Sequence, residues 1–102
     1  MEVILTGDPL SAERAHQLGL VNHLVAPGEA LHAAVELANK IATSAPMAVA
    51  ASRRVVLAAA YESDENLIKM TNEEFAPILK SEDTKEGLTA FIEKRAPQWK
   101  GR

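Results

Sequence analysis

Three serines punctuate the chain. Ser11 stands just ahead of Glu13, Ser63 ahead of Asp64 and Glu65, and Ser81 ahead of Glu82 and Asp83. A serine so placed accepts a hydrogen bond from a free N–H of a helix's first turn, and the acids beside it complement the positive end of the helix dipole. Helix starts are therefore written into the sequence at three points. Breakers separate the segments: Gly7-Asp8-Pro9, Gly19, Pro27-Gly28, Pro46 and Pro97. A chain divided in this way is restricted to short helices joined by tight turns.

The apolar spacing agrees with that division. Ser11 starts a short helix through Gln17, stopped by Gly19. From Glu29 to Thr43, Leu31, Ala34, Val35, Ala38, Ile41 and Ala42 recur at the intervals that place them on one helical face. Pro46 opens a further helix to about Tyr61, since proline is tolerated in a first turn. Val49, Val56 and Ala60 form one stripe of this helix and Ala48, Ala51, Val55 and Ala59 another, with Arg53 and Arg54 at its wet edge. Ser63 begins a helix expected to carry Leu67, Ile68, Thr71, Phe75, Ile78 and Leu79 inward and to kink near Pro77. Ser81 begins the last helix, whose apolar face is Leu88, Phe91 and Ile92 and which Pro97 prevents from continuing. Between these, Leu20 to Val25 is rich in aliphatic and β-branched residues and reads as a short strand. Composition alone gives the same reading for Val3-Ile4-Leu5 ahead of Thr6-Gly7. The fold class is mainly α, with four to five helices and at most one short strand.

Composition limits what such helices can bury. The 102 residues are 47% hydrophobic, but 18 of them are alanine and only 4% are aromatic. Alanine removes far less surface from water than leucine or phenylalanine does, so the core of this chain is shallow and needs something to lie against. A net charge of −3 excludes general nucleic-acid binding, which needs a basic footprint. The absence of cysteine excludes disulfides and thiolate metal sites and is compatible with a reducing compartment. No run approaches the ~20 apolar residues that span a bilayer, and the first residues lack the pattern of a secretory leader, so no membrane partner is expected.

Few residue constellations suggest chemistry. His16, His23 and His32 are seven and nine residues apart, not the three or four that place two metal ligands on one helix face. The neighbouring acids Glu73-Glu74 and Glu82-Asp83 point about 100° apart on a helix and read as solvated faces. Ser52 with Arg53-Arg54 falls mid-helix, where no free N–H is available to a phosphate. The tail differs, because Lys94, Arg95, Lys100 and Arg102 gather beside Phe91 and Trp99. Read from composition, that is a helix end complementing its dipole, followed by a docked aromatic.

Two stretches carry a resemblance. "LTGDPLSAERAHQLGLVNHLV" (5–25) and "SEDTKEGLTAFIEKRAPQWKGR" (81–102) are similar to segments of the crotonase superfamily, the enoyl-CoA hydratase/isomerase proteins. With the helices between them, the resemblance covers essentially the whole chain and places it in the family's C-terminal part. It implies that Glu2 to Leu5 is the end of a helix rather than a strand. It also implies one C-terminal region over residues 1–102, with 1–28 closing the core portion and 29–102 forming the helical part. The family polarises a thioester carbonyl with two backbone N–H groups and moves protons with carboxylates. Those parts belong to the catalytic half, which the resemblance puts upstream, so no catalytic residue is expected here.

What the resemblance implies for binding is specific. The residues matching Phe91 and Lys94 lie close to coenzyme A, often at a neighbouring subunit's site, and Phe75 matches an aromatic near the acyl end. No separate cofactor or metal is implied, since coenzyme A enters as part of the acyl-CoA substrate. The implied partners are the missing N-terminal half and like subunits in a trimer-type homo-oligomer; the expected location, compatible with the absence of cysteine and otherwise a default, is cytoplasmic. The competing reading is a stand-alone helical interaction or oligomerisation module.

Overall fold

The computed structural model describes residues 1–102. Six helices follow one another: α1 (Glu2–Thr6), α2 (Ala12–Gln17), α3 (Ala30–Ala42), α4 (Pro46–Ala58), α5 (Asp64–Leu79) and α6 (Glu82–Glu93). There is no strand. The chain divides into two compact units, residues 1–36 and 37–102.

The first unit holds α1, α2 and the beginning of α3. The resemblance reads Glu2 to Leu5 correctly as helix, where composition suggested a strand. The α1 helix closes on Gly7 at φ 73°, whose N–H donates to the Val3 carbonyl. In α2, Ser11 Oγ accepts from the Arg14 N–H at 3.2 Å, as the cap signal requires. The strand expected over Leu20 to Val25 is absent. A strand needs a second extended segment to take its backbone groups, and none exists here. Instead the Leu20 N–H donates back to the Ala15 carbonyl at 2.9 Å, and the Val21 carbonyl accepts from His16 Nδ1 at 3.2 Å. No residue of this unit is fully buried; Leu10, Ala15 and Ala33 are half-buried.

The second unit contains the rest of α3, then α4, α5, α6 and the tail. Helices α4 and α5 pack side by side, with Arg54 of α4 donating from Nε and Nη2 to the two carboxylate oxygens of Glu74 on α5. Glu74 is thus not the free surface acid its sequence position suggested. The face of α5 that α4 covers runs through Leu67, Met70, Glu74 and Ile78, all half-buried, while Ile68, Phe75 and Leu79 are exposed. Ser63 caps α5 through the Asn66 N–H, and the helix ends at Leu79, two residues beyond the proline at 77. Only Lys80 and Ser81 then separate α5 from α6. Thr84 Oγ1 donates to the Ile78 carbonyl at 2.6 Å and pins the corner.

Burial confirms how little this unit encloses. Ala51 and Ala90 are the only hydrophobic residues that are buried, joined by the polar Ser81 and Asp83. The apolar face expected for α6 lies open, with Leu88 62%, Phe91 84% and Ile92 78% exposed. Its covered face is built from Asp83, Gly87 and Ala90, spaced so that they align along one side of the helix.

Candidate functional site: the ends of α6 and the strap that joins them

After α6 the chain turns back along the helix. Residues 95–102 form a strap fixed mainly by side chains of α6 and backbone groups at its ends, with one further hold on the Thr43 carbonyl. At the far end, the buried Asp83 carboxylate accepts from the Lys100 N–H at 2.7 Å and the Gly101 N–H at 2.9 Å. The N–H groups of Glu82 and Asp83 donate to the Arg102 carbonyl at 2.7 and 3.3 Å, so the first-turn donors that a helix leaves unpaired are taken by the strap. Glu82 also accepts from Lys100 Nζ at 3.0 Å, and its carboxyl is lowered by that bond and by the charge of Arg102. The reading of Glu82-Asp83 as a solvated face therefore fails for Asp83. This carboxylate is only 2% exposed and serves as the strap's anchor.

In the middle, Trp99 lies on Gly87. A Cβ at Gly87 would stand 3.2 Å from the indole Cη2, tighter than an ordinary contact, so space rather than backbone angle favours glycine here. The indole N–H donates to the Thr43 carbonyl at 2.8 Å, satisfying a group just past the end of α3.

At the near end, Glu86 accepts from both terminal nitrogens of Arg95, at 2.6 and 3.1 Å, and from the Gln98 N–H at 2.7 Å. Arg95 Nε donates to Glu93 at 2.6 Å. These bonds lower the Glu86 carboxyl to about 2, first through Arg95 and then through the Gln98 amide, and they raise the Arg95 guanidinium further above its ordinary value. Between Glu93 and Arg95 stands Lys94, at φ 54° and ψ 40°. It is the only residue other than glycine with a positive φ. The left-handed region costs a non-glycine residue on the order of 1 kcal/mol. The turn places the Arg95 N–H on the Ala90 carbonyl at 3.1 Å and the Lys94 N–H on the Phe91 carbonyl at 3.3 Å. No ion pair in the chain engages the Lys94 ammonium. Its neighbour Phe91 is the most exposed large apolar residue of α6.

The structure thus places Phe91 and Lys94 together at the end of α6 and Phe75 elsewhere, on the wall of a cavity of about 360 Å³ formed by α4 and α5. Ala51, Val55, Thr71 and Ile78 line the same cavity, and its one carboxylate, Glu74, is already committed to Arg54. No cluster of three or more His, Cys, Asp or Glu side chains could hold a metal ion. Sequence reading missed Asp83, Glu86 and Arg95 as a set. The available signal was the spacing of Asp83, Glu86 and Gly87, which falls on one helical face below a returning tail.

Comparison with known proteins bears on the whole length. The sequence model of the enoyl-CoA hydratase/isomerase family matches residues 1–102. The chain belongs to that family. Its similarity to solved members is close in backbone as well: an enoyl-CoA hydratase from Mycobacterium tuberculosis H37Rv superimposes with a TM-score of 0.93 at 46% identity, covering 100% of this chain and 40% of the other. An enoyl-CoA hydratase from Bacillus anthracis gives 0.91 at 33% identity, covering 99% and 39%. Among curated relatives, the carnitinyl-CoA dehydratase of Proteus mirabilis (strain HI4320) is 40% identical over 105 residues, which is 99% of this chain and 40% of the relative. The chain therefore spans about two fifths of the length of these members of the enoyl-CoA hydratase/isomerase family. No helix in it is long and apolar enough to cross a membrane.

Proposed function

We propose that these residues are the coenzyme A-handling C-terminal region of an enzyme acting on acyl-CoA thioesters, and that they do not perform the reaction alone. The observation that carries this reading is Lys94. In a chain of this family, a lysine occupies a strained turn that glycine would fill at lower cost, beside an exposed phenylalanine, with its charge unspent. A charged group kept in such a position has a use outside the chain, and the phosphates of coenzyme A are the partner that the family implies. Phe91 offers the adjoining flat apolar surface, and Phe75 in the α4/α5 cavity is the residue nearest in kind to an acyl-chain contact. Catalytic inactivity of the region alone is supported by the cavity itself, whose only carboxylate is tied bidentately to Arg54 and held ionised by it. The open face of Leu88, Phe91 and Ile92 suits contact with a like subunit in a trimer-type assembly.

The test separates a remote binding contact from a helix cap. These 102 residues are exchanged for the matching segment of the M. tuberculosis enoyl-CoA hydratase, and Lys94→Ala is compared with its parent in that chimaera. A lost contact to a non-reacting phosphate raises KM for acyl-CoA with little change in kcat, and leaves thioesters without the nucleotide nearly unaffected. Equal defects for both substrates would reduce Lys94 to a structural cap. In parallel, the 102-residue chain alone is expected to give no hydration of a short enoyl-CoA above background, and turnover by the pure chain would defeat the reading of inactivity.

A further inference from the structure

The chain contains its own control for the turn at Lys94. Helix α5 also ends on a lysine, Lys80, and there the backbone stays right-handed at φ −93°. Helix α4 ends on Ala59 at φ −59°. A lysine at a helix end in this molecule does not adopt the left-handed turn by default, and at the other left-handed helix ends, Gly7 and Gly19, the residue is glycine. What distinguishes Lys94 is its flanks. The residues on both sides of it are gripped by one guanidinium: Arg95 bonds Glu93 through Nε and Glu86 through both terminal nitrogens, at 2.6, 2.6 and 3.1 Å. Glu86 then holds the chain beyond, through the Gln98 N–H at 2.7 Å. Glu86 sits two helical turns before Lys94 and is itself only partly exposed. It is therefore a fixed post to which the loop carrying Lys94 is fastened at two points.

We propose that Glu86 is a positioning residue for Lys94: by gripping Arg95 and the Gln98 amide, it imposes the left-handed turn that fixes where the Lys94 ammonium stands. The consequence rests on the reading of Lys94 as the coenzyme A contact, since a fixed ammonium matters only if it has an anion to meet. Glu86 never touches that anion. Its carboxylate acts through the guanidinium, whose planar fork accepts only one arrangement of its partners.

The primary readout is conformational and uses the full 102-residue chain. A positive φ brings a residue's amide hydrogen close to its own Hα, so Lys94 gives a strong intraresidue NOE that Lys80 does not. In Glu86→Gln the Lys94 NOE is expected to weaken to the level of Lys80, while the contacts of Trp99 with Gly87 persist. Should Glu86→Gln undock the strap, Arg95→Lys keeps the charge but loses the fork, and the same weakening is expected there. The second readout is kinetic, in the chimaera: Glu86→Gln raises KM for acyl-CoA about threefold or more at unchanged kcat, with no rise for a pantetheine thioester. A helix-stabilising role alone would not produce that split. Persistence of the strong NOE in both variants would overturn the proposal, because the backbone bonds of the turn would then suffice. An NOE lost without any rise in KM, while Lys94→Ala still raises it, would overturn it too. If Lys94→Ala itself leaves KM unchanged, the coenzyme A reading falls, whereas the NOE alone decides whether Glu86 sets the turn.

Discussion

Helices α2 and α6 stop in the same way. At the end of α2, the Leu20 N–H reaches back to the Ala15 carbonyl at 2.9 Å and the Gly19 N–H to the His16 carbonyl at 3.0 Å. At the end of α6, the Arg95 N–H reaches Ala90 and the Lys94 N–H reaches Phe91. Both turns pass through one left-handed residue, with φ 73° at Gly19 and 54° at Lys94. Glycine enters that region without penalty and adds no chemistry, so the α2 turn is a stop and nothing more. Lysine enters it at a cost and is held there by a guanidinium and a carboxylate. The same backbone device therefore serves two ends, and under the proposed function the difference in residue marks which of them carries a group meant for another molecule.

The comparison is broken most decisively by removing the charge. In the chimaera, Lys94→Ala is expected to raise KM for acyl-CoA by roughly tenfold or more, the equivalent of the low end, about 1.5 kcal/mol, for a hydrogen bond to a charged group. Substitutions at Gly19 in the 102-residue chain change nothing but the turn itself. Exchanging the residue types across the two turns gives opposite signs of smaller size. Gly19→Ala meets no atom within 4 Å, so its cost is purely conformational and should lower the local opening free energy by about 1 kcal/mol in amide exchange at Leu20. Lys94→Gly should raise protection at Arg95 by a similar amount and still carry the full KM defect of Lys94→Ala. A lysine that proved as stable as glycine in that turn would remove the argument that it is kept for its side chain.

A third glycine sharpens the point with a smaller effect. Gly87 lies inside α6 with ordinary helical angles, where alanine normally stabilises by about 1 kcal/mol. Trp99 opposes the added methyl and is itself held by Thr43, so Gly87→Ala should gain none of that stability and should shift tryptophan fluorescence to longer wavelength as the indole is displaced. The least effect comes from acid. The Glu86 carboxyl moves from 4.5 to about 2 in the folded chain, so its contribution is complete above about pH 4.5 and is lost as pH falls through 2. The Lys94 NOE should accordingly be as strong at pH 3 as at pH 7, and its loss by pH 4 would mean that Glu86 is not ion-paired as described.

Much of this fold was legible because its signals are local. Ser11, Ser63 and Ser81 cap their helices through the N–H groups of Arg14, Asn66 and Thr84, and Pro46 stands at a helix start. The strand at Leu20 to Val25 was misread because aliphatic and β-branched residues suit any apolar surroundings, and β propensity becomes a strand only when another backbone answers. The inward face of α5 was misread in part for a related reason, since Leu67 and Ile78 are half-buried but Ile68, Phe75 and Leu79 are exposed. Periodicity identifies an apolar stripe, but not whether this chain supplies what covers it, and Phe75, Leu88, Phe91 and Ile92 remain open. Family resemblance singled out Phe91 and Lys94 and passed over Glu86, Arg95 and Asp83. A lysine gives no warning in sequence that its φ will be positive; that depends on bonds between residues nine and seventeen positions apart.

Asp83 gives the strap one further property. The carboxylate that opens α6 holds Lys100 and Gly101, while Glu86 holds Arg95 and Gln98, so helix and strap are closed into a ring by contacts at both ends. A helix in such a ring does not fray from one terminus, since loosening either end must stretch the other. Amide exchange along α6 should then be cooperative, with first-turn and last-turn groups opening together. Deleting residues 100–102 from this chain would cut the ring at its anchor, and the effect would be felt at the far end of the helix, in the freedom of a lysine that the deletion never touched.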